Sequence, residues 1–137
     1  MLKRFGISLE ESLLTQFDSL CKKQGYTNRS EAIRDLIRNA LIQKEWFEGN
    51  TETTGVVMII YDHHQYQMAQ KITNIQHEHF VSIVASLHSH LDHHNCVEII
   101  LLRGKAKRIQ YIADNIISTK GVKYGQFIPA TTGKSIK

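Results

Sequence analysis

The segment that decides the fold spans residues 81–103 and has the sequence VSIVASLHSHLDHHNCVEIILLR. Two largely apolar runs, Val81–Leu91 and Val97–Arg103, flank the polar residues Asp92–Asn95. A polar turn between two such runs is typical of an antiparallel hairpin. Successive side chains of a strand point to opposite faces, so we expect one face of the first strand to cover the helices (Val81, Ile83, Ala85, Leu87) and the other to face away from them (Ser82, Val84, Ser86, His88, His90).

The segments on either side of the hairpin complete one domain. A strand at Val56–Tyr61 and a helix from about Gln65 to His77 precede it. A helix with one apolar face and a strand at Val122–Ile128 follow it; the apolar face of that helix comprises Ile109, Ile112, Ala113, Ile116 and Ile117. The order β-α-β-β-α-β predicts an α+β, ferredoxin-like fold, and the polar tail from Thr131 is expected to be frayed.

The N-terminal region has a different pattern. Residues 4–9 alternate between apolar and polar side chains, which predicts a short strand, and two amphipathic helices follow. Gly25 ends the first helix, and Asn28 with Glu31 opens the second in the manner of a capping box; this helix runs to about Trp46. The small polar residues that follow suggest a linker, so we expect domains at residues 1–48 and 55–137 joined by residues 49–54.

A single short strand leaves both of its edges unpaired and therefore needs a partner. Two chains that pair these strands antiparallel would form a ribbon that fits the major groove of DNA. The apolar face (Phe5, Ile7, Leu9) would cover the helices, and the outward face would carry Arg4, Gly6 and Ser8. The start of the second helix suits a DNA phosphate through Asn28, Arg29 and Ser30. A purely structural dimerisation arm is the alternative interpretation.

Composition sets outer limits on function. The 137 residues carry a formal net charge of +4, which permits nucleic-acid binding without requiring it. No apolar run approaches the roughly 20 residues of a membrane span, and the N-terminus lacks the apolar core of a signal peptide. Two cysteines cannot form a disulfide scaffold. We therefore expect a soluble cytoplasmic protein with no membrane partner.

The hairpin also concentrates metal ligands. His88 and His90 point the same way because they are two residues apart. If the hairpin is centred on His93, His90 lies opposite Cys96 and His88 lies opposite Glu98, with Cβ atoms about 4.5–5.5 Å apart. A centre between His93 and the next residue would instead place Cys96 on the other face.

A fourth ligand is expected from the preceding helix, where His77 and His79 are the nearest candidates. Imidazoles and a thiolate suit nickel, copper or zinc. Tetrahedral geometry would favour zinc, and planar geometry would favour nickel or copper. The neighbouring residues Gln76 and Glu98 are candidates for orienting the imidazoles.

Two sets of motifs resemble known families. The run GYTNRSEAIRDLIR at residues 25–38 resembles the ribbon-helix-helix repressors, with similarity over residues 2–46. The motifs IQHEH, LHSHLDHHNCVE and KGVKYGQ resemble the nickel-responsive regulators (NikR) over essentially the whole chain. The resemblance implies a ribbon-helix-helix domain joined to an ACT-type β-α-β-β-α-β domain, a homotetramer, and square-planar Ni(2+) held by three histidines and one cysteine.

The resemblance also assigns residues. It implies one nickel ion per subunit, held by His88, His90 and Cys96 together with His77 from a neighbouring subunit, while His79 stays an alternative. Weaker auxiliary metal sites are expected at His63 and His64, and a secondary cation site at Glu31 and Asp35.

The expected function is therefore a nickel-responsive transcriptional regulator, mainly a repressor, in which nickel at the tetramer interface favours binding to double-stranded operator DNA. A small-molecule sensor is a second hypothesis, and it predicts ligand contacts at glycine-rich turns between domains. A metalloenzyme is a third, but four protein ligands leave no open position and no general base is evident. We expect the protein not to be an enzyme.

Overall fold

The structure is a computed structural model that describes residues 1–137, which form two compact units, Met1–Ala40 and Leu41–Lys137. The elements in chain order are α1 (Glu11–Lys23), α2 (Arg29–Glu48), β1 (Glu52–Asp62), α3 (Met68–Glu78), β2 (Ile83–His90), β3 (Asn95–Lys105), α4 (Ala106–Ile117) and β4 (Val122–Pro129). None of the helices has the length and apolar character needed to cross a membrane.

The first unit contains the two predicted helices without the predicted strand. Residues 1–10 form neither helix nor strand in the single chain, because a lone strand has no neighbour to take its backbone hydrogen bonds. Helix α1 ends at Lys23, and Gly25 follows two residues later with a φ of +79°, which suits a residue without a Cβ. Helix α2 opens as predicted, since the side chain of Asn28 accepts a 2.9 Å bond from the backbone N–H of Glu31. The carboxylate of Glu31 does not complete the capping box but pairs with Arg34.

The second unit is the predicted β-α-β-β-α-β fold. Its sheet has the strand order β2-β3-β1-β4, and every neighbouring pair is antiparallel. Helices α3 and α4 cover one face, where alternate residues of β1 and β3 are buried with them. This core comprises Val57, Ile59, Tyr61, Met68, Ile72, Cys96, Ile100, Leu102, Ile109, Ile112, Ala113 and Ile116.

Several element bounds differ from the predicted ones. Strand β1 begins at Glu52 rather than Val56, so residues 52–54 of the expected linker lie in the sheet. Helix α3 begins at Met68 rather than Gln65. Strand β2 begins at Ile83 rather than Val81. These shifts lengthen or shorten elements without changing their order.

The predicted faces of β2 are wrong over most of its length. Ile83 pairs with Leu102, but Ala85 pairs with Leu101, so Val84 is an extra residue on this strand. A bulge of this kind inserts one residue, and a one-residue shift moves every later side chain to the other face. Only Ile83 therefore packs against the core, whereas Leu87 lies on the face that the helices leave bare and is 61% exposed.

Candidate metal centre

The hairpin has the register that brings the predicted ligands together. His90 pairs with Cys96, and His88 pairs with Glu98. His88 and His90 therefore lie on the same face of the sheet as Cys96, with their ring centroids 5.4 Å apart. Because of the bulge in β2, this is the helix-covered face and not the face that the sequence predicted.

The turn residues hold this register in place. The backbone N–H of Leu91 donates to the carbonyl of Asn95 at 2.8 Å. One carboxylate oxygen of Asp92 accepts from the backbone N–H groups of His94 and Asn95, each at 2.8 Å. These bonds hold the pKa of Asp92 well below its usual range, the bond from the Asn95 side chain being the largest cause. A closed turn of this kind fixes which residues of the two strands face each other.

Cys96 lies at the inner end of the site. It is fully buried, and its thiol donates to the backbone carbonyl of Tyr61, with 3.4 Å between Sγ and the oxygen. Burial raises the pKa of the Cys96 thiol, and the side-chain hydroxyl of Tyr61, which can donate to the thiolate, offsets part of that effect. A cysteine binds metal as the thiolate, so Cys96 must give up this proton to act as a ligand.

His63 joins the same site from the end of β1. Its ring stacks on that of His90, with centroids 4.4 Å apart and an interplanar angle of 24°. Its Nδ1 atom is buried and has no hydrogen-bond partner. Burial, followed by the neighbouring His64 imidazole, lowers the pKa of His63, which favours the neutral form that metal ligation needs. An unpartnered imidazole nitrogen beside His90 fits a metal-binding surface.

His64 lies on the turn side of this group. Its ring centroid is 4.2 Å from that of His63, and its Nε2 atom is 2.8 Å from the carbonyl oxygen of His93. The two residues proposed as an auxiliary metal site are therefore adjacent, one beside His90 and one tied to the turn.

Behind the histidines lies a buried carboxylate. Glu98 is 7% exposed and accepts hydrogen bonds from Tyr61 Oη at 3.2 Å, Gln76 Nε2 at 3.3 Å and Ser86 Oγ at 3.3 Å. Burial, and then the charge of Glu98, raise the pKa of Tyr61, which keeps the phenol a hydrogen-bond donor. Gln76 and Glu98, predicted to orient the imidazoles, bind each other in this network.

The sequence analysis did not identify Tyr61 and Ser86 as partners of Glu98. Strand parity could have found both residues. Tyr61 follows Val57 and Ile59 on the inner face of β1, and Ser86 precedes His88 by two residues on β2.

The two candidates for the fourth ligand lie in different surroundings. His77 is exposed in the last turn of α3, one residue after Gln76. His79 is engaged elsewhere: its Nδ1 is 3.3 Å from a guanidinium nitrogen of Arg108, and its ring makes an edge contact with Tyr111. No three His, Cys, Asp or Glu side chains of the single chain form a complete metal-binding group.

Comparison with known proteins identifies the families to which this chain is similar. Residues 54–129 match the family described as NikR C terminal nickel binding domain, and residues 3–44 match the family described as ribbon-helix-helix protein, copG family. A nickel-responsive regulator of Geobacter sulfurreducens is 49% identical over 97% of this chain and 96% of its own length. Another, from Anaeromyxobacter dehalogenans, is 49% identical over the full length of both chains. This chain belongs to the nickel-responsive regulator family, NikR.

Membership in NikR settles several predictions. The C-terminal part is a nickel-binding domain, the N-terminal part is a ribbon-helix-helix domain, and the protein is a transcription regulator rather than an enzyme. A solved structure also shares part of this fold. An uncharacterised protein from Thermotoga maritima is 10% identical and has a TM-score of 0.51 over 58% of this chain and 98% of its own, a likeness that concerns the fold alone.

The candidate DNA-binding residues of this NikR lie in the first unit. Arg4, Gly6 and Ser8 are all exposed in the segment before α1. Asn28 and Ser30 are exposed at the start of α2, where Asn28 caps the helix. Arg29 forms a two-pronged ion pair with Asp18, with both N–O distances at 2.7 Å, so it must exchange this partner to reach a phosphate.

The predicted secondary cation site in the same unit does not have its carboxylates free. Asp35 accepts from Tyr26 Oη at 2.7 Å and from Arg38 at 2.8 Å, and these bonds, Tyr26 first, lower the pKa of Asp35. Glu31 is paired with Arg34. A cation bound at this position would have to replace these partners, and the site stays a prediction.

Removing the buried carboxylate should destabilise the apoprotein. In Glu98→Ala, the three donors of the network lose their acceptor, but only Tyr61 among them is fully buried, and an unsatisfied buried polar group costs about 1–3 kcal/mol. We expect the free energy of unfolding to fall by about 2 kcal/mol in urea titrations followed by circular dichroism. Glu98→Gln keeps one acceptor oxygen and should lose less than half as much. Equal losses in the two variants would show that the network needs the whole carboxylate, because glutamine preserves the side-chain volume and one acceptor oxygen.

Proposed function

We propose that this protein is a nickel-dependent DNA-binding regulator, mainly a repressor, in which nickel held between subunits favours binding to operator DNA. The observation that carries the proposal is the hairpin register. It pairs His90 with Cys96 and places His88 on the same face, so one face of the hairpin carries two imidazoles and one thiol. This donor set suits a borderline metal such as nickel.

The single chain supplies too few ligands, which supports a shared site. We assign His77 of a neighbouring copy as the fourth ligand, because His77 is exposed whereas His79 is engaged by Arg108 and Tyr111. With His88, His90 and Cys96 from one chain, this arrangement implies one nickel ion per subunit. When bound, nickel would be held by residues of both chains, so its binding would favour the one arrangement of the two chains that brings these residues together.

The sheet face without helices supports a homotetramer. Its centre is apolar, with Met58 of β1 paired to Ile99 of β3, and Leu87 of β2 paired to Ile99 from the other side. Large exposed apolar surfaces on soluble proteins are typical of association sites. We propose that these sheets meet in a dimer of dimers and that residues 55–137 carry both metal binding and tetramerisation.

The first unit supports a second kind of pairing. Phe5 and Ile7 are 72% and 59% exposed, and Leu36 of α2 is 56% exposed. A second copy would cover these side chains if residues 4–9 of the two chains paired as a ribbon. We propose that this ribbon reads DNA through Arg4 and Ser8, that Asn28, Arg29 and Ser30 contact phosphates, and that residues 1–48 form the DNA-binding domain.

Coupling between the two activities requires that nickel bind one arrangement of the tetramer better than others. Typical couplings are about 1–3 kcal/mol, or about 5–150-fold in affinity. The test begins with a DNA duplex selected from a random pool by the nickel-loaded protein. We expect its affinity, measured by fluorescence anisotropy, to rise by a factor in this range when nickel is added to the metal-free protein. Equal affinity with and without nickel would contradict the proposed function.

A further inference from the structure

The last two turns of α2 are held by the C-terminal tail. Helix α2 runs without a break from Arg29 to Glu48, although the boundary between the compact units falls after Ala40. Glu45 and Trp46 therefore belong to the second unit, together with the nickel-binding hairpin. The contacts that hold these final turns therefore hold one end of a continuous helix, and rigid helices are among the elements that carry coupling between sites.

The carbonyl of Ala130 is the centre of these contacts. It accepts a hydrogen bond from the indole Nε1 of Trp46 and another from the hydroxyl of Thr53, each at 2.8 Å. The backbone N–H of Ala130 donates to the carbonyl of Thr54 at 2.9 Å. Thr53 is fully buried, so a single peptide group ties the end of α2 to the buried start of β1.

Two further contacts hold the same turn of α2. The carboxylate of Glu45 accepts from the hydroxyl of Thr131 at 3.3 Å and also from the hydroxyl of Ser135. The ring of Trp46 packs edge-on against Phe127 of β4, with centroids 5.3 Å apart, and both rings pack against the core. The tail from Thr131, which the sequence predicts to be frayed, is instead folded back onto α2.

Residues 130–135 hold Glu45 and Trp46 through these contacts. We propose that Glu45 and Trp46 are positioning residues through which nickel in the second unit changes the DNA affinity of the first. We call this set of contacts the C-terminal clamp. The inference rests on the proposed function, since it presupposes a nickel-dependent gain in DNA affinity. With the clamp closed, a change in the metal unit must move α2. With the clamp open, α2 can keep its orientation when nickel binds, and the coupling free energy falls.

The test separates coupling from folding by three measurements on the full-length protein. They are nickel affinity by competition with a chelator, affinity for the selected DNA duplex without nickel, and affinity for that duplex with nickel. We expect Glu45→Ala, and deletion of residues 131–137, to leave the nickel affinity and the nickel-free DNA affinity within about twofold of wild type. The nickel-dependent gain in DNA affinity, for which a typical value is about 5–150-fold, should fall by up to about tenfold.

Matched variants sharpen this test. Trp46→Phe keeps an aromatic ring and removes only the N–H donor, so it should lose part of the gain. Glu45→Gln keeps one acceptor oxygen and should recover part of what Glu45→Ala loses. Lys134→Ala alters the tail at an exposed side chain that makes none of the clamp contacts and should behave as wild type.

Two results would overturn the proposal. In the first, Glu45→Ala and the deletion keep the full nickel-dependent gain. In the second, both lose nickel affinity in parallel, which would assign the tail to the folding of the metal unit. A wild-type protein without any gain would contradict the proposed function itself, and the clamp with it. A gain in wild type that survives in the variants would contradict the clamp alone.

Discussion

Replacing Cys96 with alanine is expected to lower nickel affinity by more than about 100-fold, which exceeds the usual cost of losing a group that only orients a ligand. The thiol is the one sulfur donor of the site, and it lies on the inner face opposite His90. Without the thiol, only imidazoles remain as ligands, so a nickel ion has fewer and weaker donors. Chelator competition gives the affinity, and the thiolate-to-nickel absorption bands should disappear.

Cys21 provides the matched control for this substitution. It is the other cysteine, it is also buried, and it belongs to the first unit. Cys21→Ala removes a thiol of the same kind away from the hairpin, so nickel affinity and the absorption bands should stay as in wild type. If Cys96→Ala also kept wild-type affinity, the hairpin would not be the nickel site.

The order of elements in the second unit was predictable because each element has a clear apolar period. The hairpin register was predictable only as one of two alternatives, since polar residues occupy all four positions of the turn. The hydrogen bonds of Asp92 decide between these alternatives. Such bonds depend on the turn geometry, which alternation of apolar residues does not encode.

The orientation of the ligands relative to the core was not predictable from strand parity alone. Parity assumes an unbroken strand, and Val84 breaks it with a bulge. Val84 is apolar like its neighbours Ile83 and Ala85, so its sequence carries no sign of the irregularity. The same limit applies to the first unit, where the strand predicted at residues 4–9 would need hydrogen bonds from another chain.

The fourth ligand shows a different limit. His77 and His79 are equivalent in the sequence, because both follow the apolar face of α3. The structure separates them through contacts made by Arg108 and Tyr111, two residues of another helix. Contacts between elements distant in sequence cannot be derived from local periodicity. In the sequence, therefore, only the family resemblance favours His77 over His79.

Replacing Leu87 with aspartate is expected to break the tetramer into dimers. Leu87 is 61% exposed on the bare face of the sheet and pairs with Ile99. If that face packs against a second copy, the substitution buries an unpaired charge, which costs several kcal/mol. Because about 1.4 kcal/mol is a factor of ten, the dissociation constant should rise by at least about 100-fold. Sedimentation velocity over a range of protein concentrations would measure it.

The same variant should also lose nickel affinity, although Leu87 is not a ligand, because a dissociated subunit no longer receives His77 from its neighbour. Tyr111→Asp is the control: Tyr111 is similarly exposed at 59% but lies on α4, away from the bare face. That variant should remain tetrameric and bind nickel normally. A Leu87→Asp protein that stays tetrameric would rule out the bare sheet face as the assembly surface. A dissociated Leu87→Asp protein with wild-type nickel affinity would instead mean that the fourth ligand comes from the same chain or from the partner that remains in the dimer.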